Sequence, residues 1–436
     1  MRIVSLALGT HGDVRPVVAL GKALKARGAD VCVVTGTDQI PLVERNGLDA
    51  ASAGVDFSEL LNSLNGFNVV ESGNGPNFMT LTRNMKRLFK AHNPTLMAAC
   101  YQASADADAI MSGFTSDIFA VPIAEKLGLP HISAQLAPAP VATRSGNAMA
   151  IAPRPGRESA VNYFFHKAMI EPFNWRLSHE SVTAFRADVL GLPCQRRRAY
   201  QRRLERALII QGFSSHVVPH PLDWPANLHT TGYWPLDDED GWTPPQALVD
   251  FLDAGEPPVF IGFGSMTVRN VTEVTRLLID AVQAAGRRAI IQAGWASLGA
   301  GTLPDSVHVV GPASHRWLFE QVAAVVHHGG SGTTAAGLRA GLPTVIIPHF
   351  GDQPFWGARV AALGAGPRPI AWPKLTPQRL AEAVRQAVGA PAMRENAAVL
   401  GAKIRAEDGI GTAVALIESY LARIVGTAVP FESSAG

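Results

Sequence analysis

Two short stretches of the chain bring together residue types that chemistry needs. The first is AAVVHHGGSGTTAAGLRAGLPTVIIPHFGDQPFW, residues 323–356. An apolar run ends at His327 and His328, turns through Gly329, Gly330, Ser331 and Gly332, and opens a helix at Thr333 and Thr334. Bare glycines let a backbone approach a ligand closely. A helix N-terminus adds unpaired N–H groups and a partial positive charge, so such a turn suits a phosphate or diphosphate. His328, Ser331, Thr333 and Thr334 supply side-chain donors. Taken alone, the same turn also fits a strand-to-helix connection with no ligand. GxxxxGKS/T is missing, which removes an ATP-hydrolysing P-loop. The second stretch, GTHGDVRP, holds His11 and Asp13. An ordinary Asp, with a pKa of about 3.9, is a weak base for an alcohol unless partial burial raises it. Histidine is tuned nearer to neutral pH. Asp13 equally suits a plain helix cap ahead of Pro16. GTHGDV lacks the GxGxxG spacing and an acidic ribose partner in register, which argues against a nicotinamide cofactor.

Turns of this kind must be carried on strands that end at a common edge. RIVSLALG reads as a strand, VVALGKALKARG as a helix stopping at Gly28, and ADVCVVTG as a second buried strand. DAIMSGF, the helix SDIFAVPIAEKLG and LPHISAQLA continue the alternation, which predicts a doubly wound parallel sheet. Residues 221–245 change texture, dense in Pro, Trp and acidic side chains, and read as a linker. The alternation then restarts with PPVFIGFGSM, VTEVTRLLIDAVQAAG and RAIIQAG. The expected organisation is an α/β protein of two Rossmann-like βαβ domains, residues 1–220 and 246–410, facing each other across a cleft. A helix over 411–426 packs back on the first domain, and 427–436 is a tail. Ligands of open α/β sheets gather at the carboxyl ends of the strands, which directs both turns into the cleft.

The 436 residues are 47% hydrophobic and 17% charged, ample for large cores and unlike a disordered chain. Lys+Arg 38 against Asp+Glu 36 leaves a net charge of +2, so no nucleic-acid partner is expected. Each apolar run is interrupted well short of the roughly 18 residues a bilayer span needs. The N-terminus reads as a first strand, not a signal peptide. Cys32, Cys100 and Cys194 are odd in number and far apart, as in a reduced, cytoplasmic chain.

The segment from Val310 to Gln353 resembles, without gaps, the donor-binding box of family 1 glycosyltransferases. Pro312, His328, Gly330, Gly341, Pro343, Pro348, Asp352 and Gln353 fall in register. GTHGDVRP, DWP…TGYW, FIGFGSM, HRWLF and FGDQPFWGARV are similar in wording to the sterol 3β-glucosyltransferases and the glycopeptide-antibiotic glycosyltransferases. The resemblance implies a GT-B fold with nucleotide sugar on the C-terminal domain and acceptor on the N-terminal one. It assigns the diphosphate to His328, Gly330, Ser331, Gly332 and Thr333, with Ser265 and Gly12 beside it. Asp352 and Gln353 take the sugar hydroxyls. Asp13 becomes the base, with His11 second or acting with it. Asp117 resembles a carboxylate that orients a base in plant members, and it stays unassigned.

Departures from the plant pattern place Val310 and Ala313 where a base-stacking Trp and a Gln would stand. Trp295 and Trp317 are the candidate substitutes, or simply core. The plant ribose-binding Glu falls on Ala336, which leaves UDP and TDP both open as the donor nucleotide. Phe67, Phe78, Met79 and Met85 fit an apolar acceptor wall or an ordinary helix core. QRRRAYQRRLERAL puts Arg198, Arg202 and Arg206 on one helix face, which suits a salt-bridged solvated surface or weak peripheral membrane contact. The implied reaction moves glucose from UDP-glucose to a hydroxyl of an apolar small molecule with inversion, needing no metal and no cofactor. A nucleotide-sugar epimerase and a catalytically silent GT-B helper are the alternatives; acceptor identity and oligomeric state stay open.

Overall fold

A computed structural model of the chain describes residues 1–60, 78–138, 141–236, 242–264, 271–293, 303–349 and 351–427, with side chains of 78–90 and 425–427 left aside. Among the described residues the strands form two parallel sheets. The N-terminal sheet contains β1 (Arg2–Leu6), β2 (Asp30–Thr35), β3 (Asp49–Ser52), β4 (Ala109–Ser112), β5 (His131–Gln135), β6 (Leu208–Gln211) and β7 (Leu228–Thr230), in the order β3-β2-β1-β4-β5-β6-β7. The C-terminal sheet contains β8 (Val259–Gly262), β9 (Ala289–Gln292), β10 (Val307–Val310), β11 (Ala324–His327) and β12 (Thr344–Ile346), in the order β10-β9-β8-β11-β12. Val4, Val33, Ile110 and Ile132 in the first sheet are fully buried, as are Val259, Ile261, Ile291 and Val326 in the second. Burial on both faces is why these strands read as continuous apolar runs.

Each sheet reverses its order once, between β1 and β4 and between β8 and β11. The connections leaving those strands diverge to opposite faces and open a crevice at the carboxyl ends. GTHGDVRP follows β1, and HHGGSGTT begins at the end of β11. The two turns singled out by composition therefore occupy the two switch points.

Two boundaries differ from the sequence reading. Residues 221–245 are not wholly linker, because β7 lies inside them and pairs with β6, Ile209 opposite Leu228 and Gln211 opposite Thr230. Trp234 and Leu236 remain in the N-terminal core. A strand of three residues flanked by Pro and Gly carries too little periodicity to be seen. The first helix, His11–Ala26, begins five residues before Pro16, which lies inside it. Thr10 is its N-cap, and the Thr10-x-x-Asp13 pattern is a capping box that sets the start earlier.

The helix Gly409–Thr427 leaves the second domain and returns to the first. Ala413, Val414, Ile417 and Leu421 join Val14, Val17 and Val18 in one apolar cluster. Arg27 and Glu418 add an exposed ion pair at 3.1 Å. Replacing a fully buried aliphatic side chain by Ala costs about 2–5 kcal/mol. Ile417→Ala is therefore expected to lower the urea midpoint clearly; a shift worth under about 1 kcal/mol would mean that this helix is not docked as described.

Candidate active site

Asp13 is the third residue of its helix, and its Oδ2 accepts the Thr10 backbone N–H at 2.9 Å. The Thr10 hydroxyl lies 3.5 Å from the same oxygen. Asp13 thus does cap its helix, and Oδ1 takes no bond from any described residue. A Cβ at Gly9 would overlap the Asp13 carboxylate, so a glycine is required behind it. Asp13 is exposed to water, while neighbouring protein removes part of the hydration of its carboxylate. That desolvation, with the nearby Asp352 charge adding to it and the Thr10 bonds opposing, pushes its pKa up to about 6. His11 is exposed on the same turn and makes a contact of its own.

Across the cleft, β11 ends at His327, whose Nδ1 accepts the Gly329 N–H at 2.9 Å. Gly329 has φ +92°, a left-handed conformation that reverses the chain into the helix Ser331–Arg339. Gly330 is that helix's N-cap. His328 lies in a slot between two bare backbones: a Cβ on Gly264 would come within 3.2 Å of its Cε1, and one on Gly330 within 2.5 Å of its Nε2. Burial lowers its pKa to about 4, so at pH 7 it is a neutral hydrogen-bonding group. Its Nδ1 is buried with no partner among the described residues, which favours the proton on Nε2. Ser331, Gly332 and Thr333 stand in the first turn of the helix, where N–H groups have no intrahelical acceptor.

Asp352 caps the helix Gln353–Ala362 without bonding to its N–H groups. Instead its Oδ2 accepts the Trp356 indole N–H at 2.7 Å. Burial raises its pKa, opposed by that bond. Gln353 is buried, and its Oε1 accepts the His349 backbone N–H at 2.8 Å. Three neighbours escaped the sequence reading. His349 lies on Trp372 at 4.3 Å with its pKa pushed down to about 3, chiefly by burial. His315 stacks on Phe319 at 4.7 Å, held down to about 4 by burial, with the Arg15 charge of the other domain contributing. Trp356 is fully buried. His315 and Trp356 each have one partner four residues away, Phe319 and Asp352, while the Trp372 ring against His349 and the Phe213 ring against Trp356 come from distant segments.

The remaining candidates divide. Ser265, Trp295 and Phe67 lie outside the described residues, and the side chains of Phe78, Met79 and Met85 likewise. Trp317 is partly buried, tilted against Trp242 at 5.5 Å. Asp117 is buried and accepts bonds from Ser112 at 2.6 Å, Ser133 at 2.9 Å and Gln135 at 2.8 Å, a polar knot at the head of its helix. The arginine helix spans Arg197–Leu204, so Arg206 falls beyond it. Arg203 pairs with Glu125 at 3.0 Å and Arg197 with Glu171 at 3.9 Å. Cys32, Cys100 and Cys194 are free thiols. No helix among the described residues is long and apolar enough to cross a membrane.

Two parallel sheets thus carry the Asp13 turn and the glycine-rich His328 turn at their switch points. Residues 3–144 match the glycosyltransferase family 28 N-terminal domain, and residues 276–415 the erythromycin biosynthesis protein CIII-like C-terminal domain. The chain is 34% identical over 426 residues to the sterol 3-beta-glucosyltransferase of Pichia angusta, covering 95% of this chain and 33% of that protein. With the sterol 3-beta-glucosyltransferase of Emericella nidulans it shares 35% over 429 residues, 96% of this chain and 30% of the relative. It thus spans about a third of the length of these curated relatives. The calicheamicin glycosyltransferase CalG4 superposes with a TM-score of 0.69 at 18% identity, covering 97% of this chain and 99% of CalG4. The glycosyltransferase VinC, solved with DTDP, gives 0.65 at 18%, covering 98% and 100%. The chain has the two-domain fold of these solved glycosyltransferases.

An acid whose folded pKa is raised favours folding while protonated, and that contribution is lost as pH rises through the folded value. Asp13 should therefore weigh against stability above about pH 6. Asp13→Asn keeps an oxygen for the Thr10 N–H and is expected to melt higher than wild type at pH 8. The difference should shrink as pH falls from about 6 toward 3.8. Equal melting at every pH would show that this carboxylate is not desolvated.

Proposed function

We propose that this chain transfers glucose from UDP-glucose to a hydroxyl of an apolar small molecule, such as a sterol, another terpenoid, a polyketide or a phenol, forming a β-glycoside. The observation that carries this reading is the approach of Asp13, on one domain, to Asp352 of the other, close enough for the second charge to raise the first pKa. A proton acceptor and a sugar-binding carboxylate then share one cleft, with the Ser331 helix N-terminus and His328 on the donor side. Asp13 takes the proton of the acceptor hydroxyl while the acceptor oxygen bonds to the anomeric carbon. The bond from that carbon to the diphosphate breaks on the opposite face, which inverts the centre. A carboxylate with a pKa near 6 is a better base than an ordinary Asp and is still ionised at pH 7.

The departing diphosphate gathers negative charge. The helix N-terminus carries roughly half a positive charge, and its free N–H groups with neutral His328 act as preorganised donors, so the reading requires no metal ion. Family relatives named as sterol 3-beta-glucosyltransferases support an apolar acceptor and a glucose donor, while Ala336 keeps a TDP-sugar in view. Arg198 and Arg202 carry no ion pair among the described residues, which suits weak contact with an anionic membrane surface and a cytoplasmic setting.

Mass spectrometry of the purified chain with UDP-glucose or TDP-glucose and panels of sterols, flavonoids and macrolides tests this directly. A hexose-bearing product that survives a metal chelator is expected. Silence across the panel with no UDP-induced thermal shift would overturn the reading. Asp13→Ala should lower turnover by about two to four orders of magnitude with UDP affinity retained. Full turnover in that variant would move the base to His11. The wild-type rate should fall as pH drops through about 6. His328→Ala should weaken UDP binding by about tenfold, and unchanged affinity would remove it from the diphosphate site.

A further inference from the structure

Asp352 is a residue type that ordinarily caps the helix it begins, yet it makes no cap bond here. Its Oδ2 is instead taken by the indole N–H of Trp356, four residues on. Three residues further, Arg359 lies on the same helical face. Its guanidinium is buried and leaves the C-terminal domain altogether: Nε donates to the Val217 carbonyl at 2.9 Å and Nη1 to Asn147 Oδ1 at 2.6 Å. Between them the Trp356 ring meets Phe213 of the N-terminal domain edge-on at 5.9 Å.

The far end of this line is itself anchored. Asn147 belongs to a stretch pinned by Asp223, which accepts the Thr143 hydroxyl at 2.6 Å and the Arg144 N–H at 2.8 Å. Asn162 holds the same stretch from the other side, donating to the carbonyls of Arg144 and Arg157. It lies in the part of the N-terminal domain where the family pattern is weakest. The helix Gln353–Ala362 thus joins the two ends, holding one oxygen of Asp352 through Trp356 and that stretch through Arg359.

From this geometry we infer that Trp356 and Arg359 are positioning residues: they fix the orientation of Asp352 toward the donor sugar and tie it to the N-terminal segment around Asn147. The inference rests on the reading of Asp352 as a sugar-binding carboxylate. An indole has one N–H and accepts nothing, so it holds Oδ2 in a single way and leaves Oδ1 for a sugar hydroxyl. The bond also opposes the rise in pKa that burial imposes, which keeps the carboxylate an acceptor. Sugar recognition on one domain then depends on docking of the other.

Calorimetric titration of the full chain with UDP and, separately, with UDP-glucose tests this, because only the second ligand carries the sugar. Trp356→Phe keeps an aromatic ring and removes the N–H. It is expected to weaken UDP-glucose by about tenfold while UDP changes less than about twofold. Asn147→Ala, at the partly exposed end of the line, should weaken UDP-glucose by about threefold with UDP unchanged. It decides the matter if Trp356→Phe does not melt cooperatively. Equal losses for both ligands in the folded variants would make the line merely structural, and no loss for either would also overturn the proposal. Wild-type protein that binds neither ligand would instead remove the donor reading beneath it.

Discussion

Trp356 is fully buried where the two domains meet, edge-on to Phe213, in an apolar cluster that also takes Val217 and Val218 from one domain and Ile346 and Phe355 from the other. An aromatic side chain of this kind hides about 150–250 Å² from water, worth about 4–6 kcal/mol as an upper bound. The rest of the site depends on that contact. On the proposed reading each domain carries half of the chemistry at the carboxyl end of its own sheet, and neither half acts without the other. The cluster sets how closely the Asp13 turn approaches the Asp352 helix. The helix Gly409–Thr427 reinforces it by returning the chain to the first domain's core.

Bringing the two halves together has an electrostatic cost that shapes their chemistry. Every titratable group with a resolved shift around the cleft is moved toward its neutral form. Asp13 and Asp352 are raised, and His315, His327, His328 and His349 are lowered, with burial as the first cause in each case. On the proposed reading such a site would hold an anion through oriented N–H groups and a helix dipole, which need little rearrangement when charge develops, and not through formal positive charge on histidine. The same desolvation raises Asp13 toward the range that the proposed role as a base near neutral pH requires.

Close approach is the second constraint. Gly264 and Gly330 leave a slot only as wide as the His328 ring, and Gly9 leaves room for the Asp13 carboxylate. In both halves the functional side chain occupies the space a neighbour's Cβ would need. The glycines flanking these motifs therefore position side chains as well as admit ligands.

Local physics made the framework readable from the chain alone. Apolar runs buried on both faces announce parallel strands, and HHGGSGTT announces a glycine-rich turn into a helix, because strand burial and chain reversal act over a few neighbouring residues. The early helix start at His11 was also written locally, in the Thr10-x-x-Asp13 capping pair, although Pro16 drew attention away from it. Other features had no local signature. The three-residue β7 exists because β6 offers a free edge. Trp356 stands four residues from Asp352, but nothing local brings Phe213 of the other domain against its ring, and Arg359 looks like a surface charge until Asn147 and Val217 enclose it. The rise of Asp13 to about 6 belongs to no motif, since it comes from desolvation and from the charge of a carboxylate far along the chain. Residue types and their nearest neighbours determined the strands, the turns and the candidate acid and donor groups. Tertiary structure alone decided which of them share a dielectric and a cleft, because desolvation and Coulomb interaction depend on distance in space, not on separation along the chain.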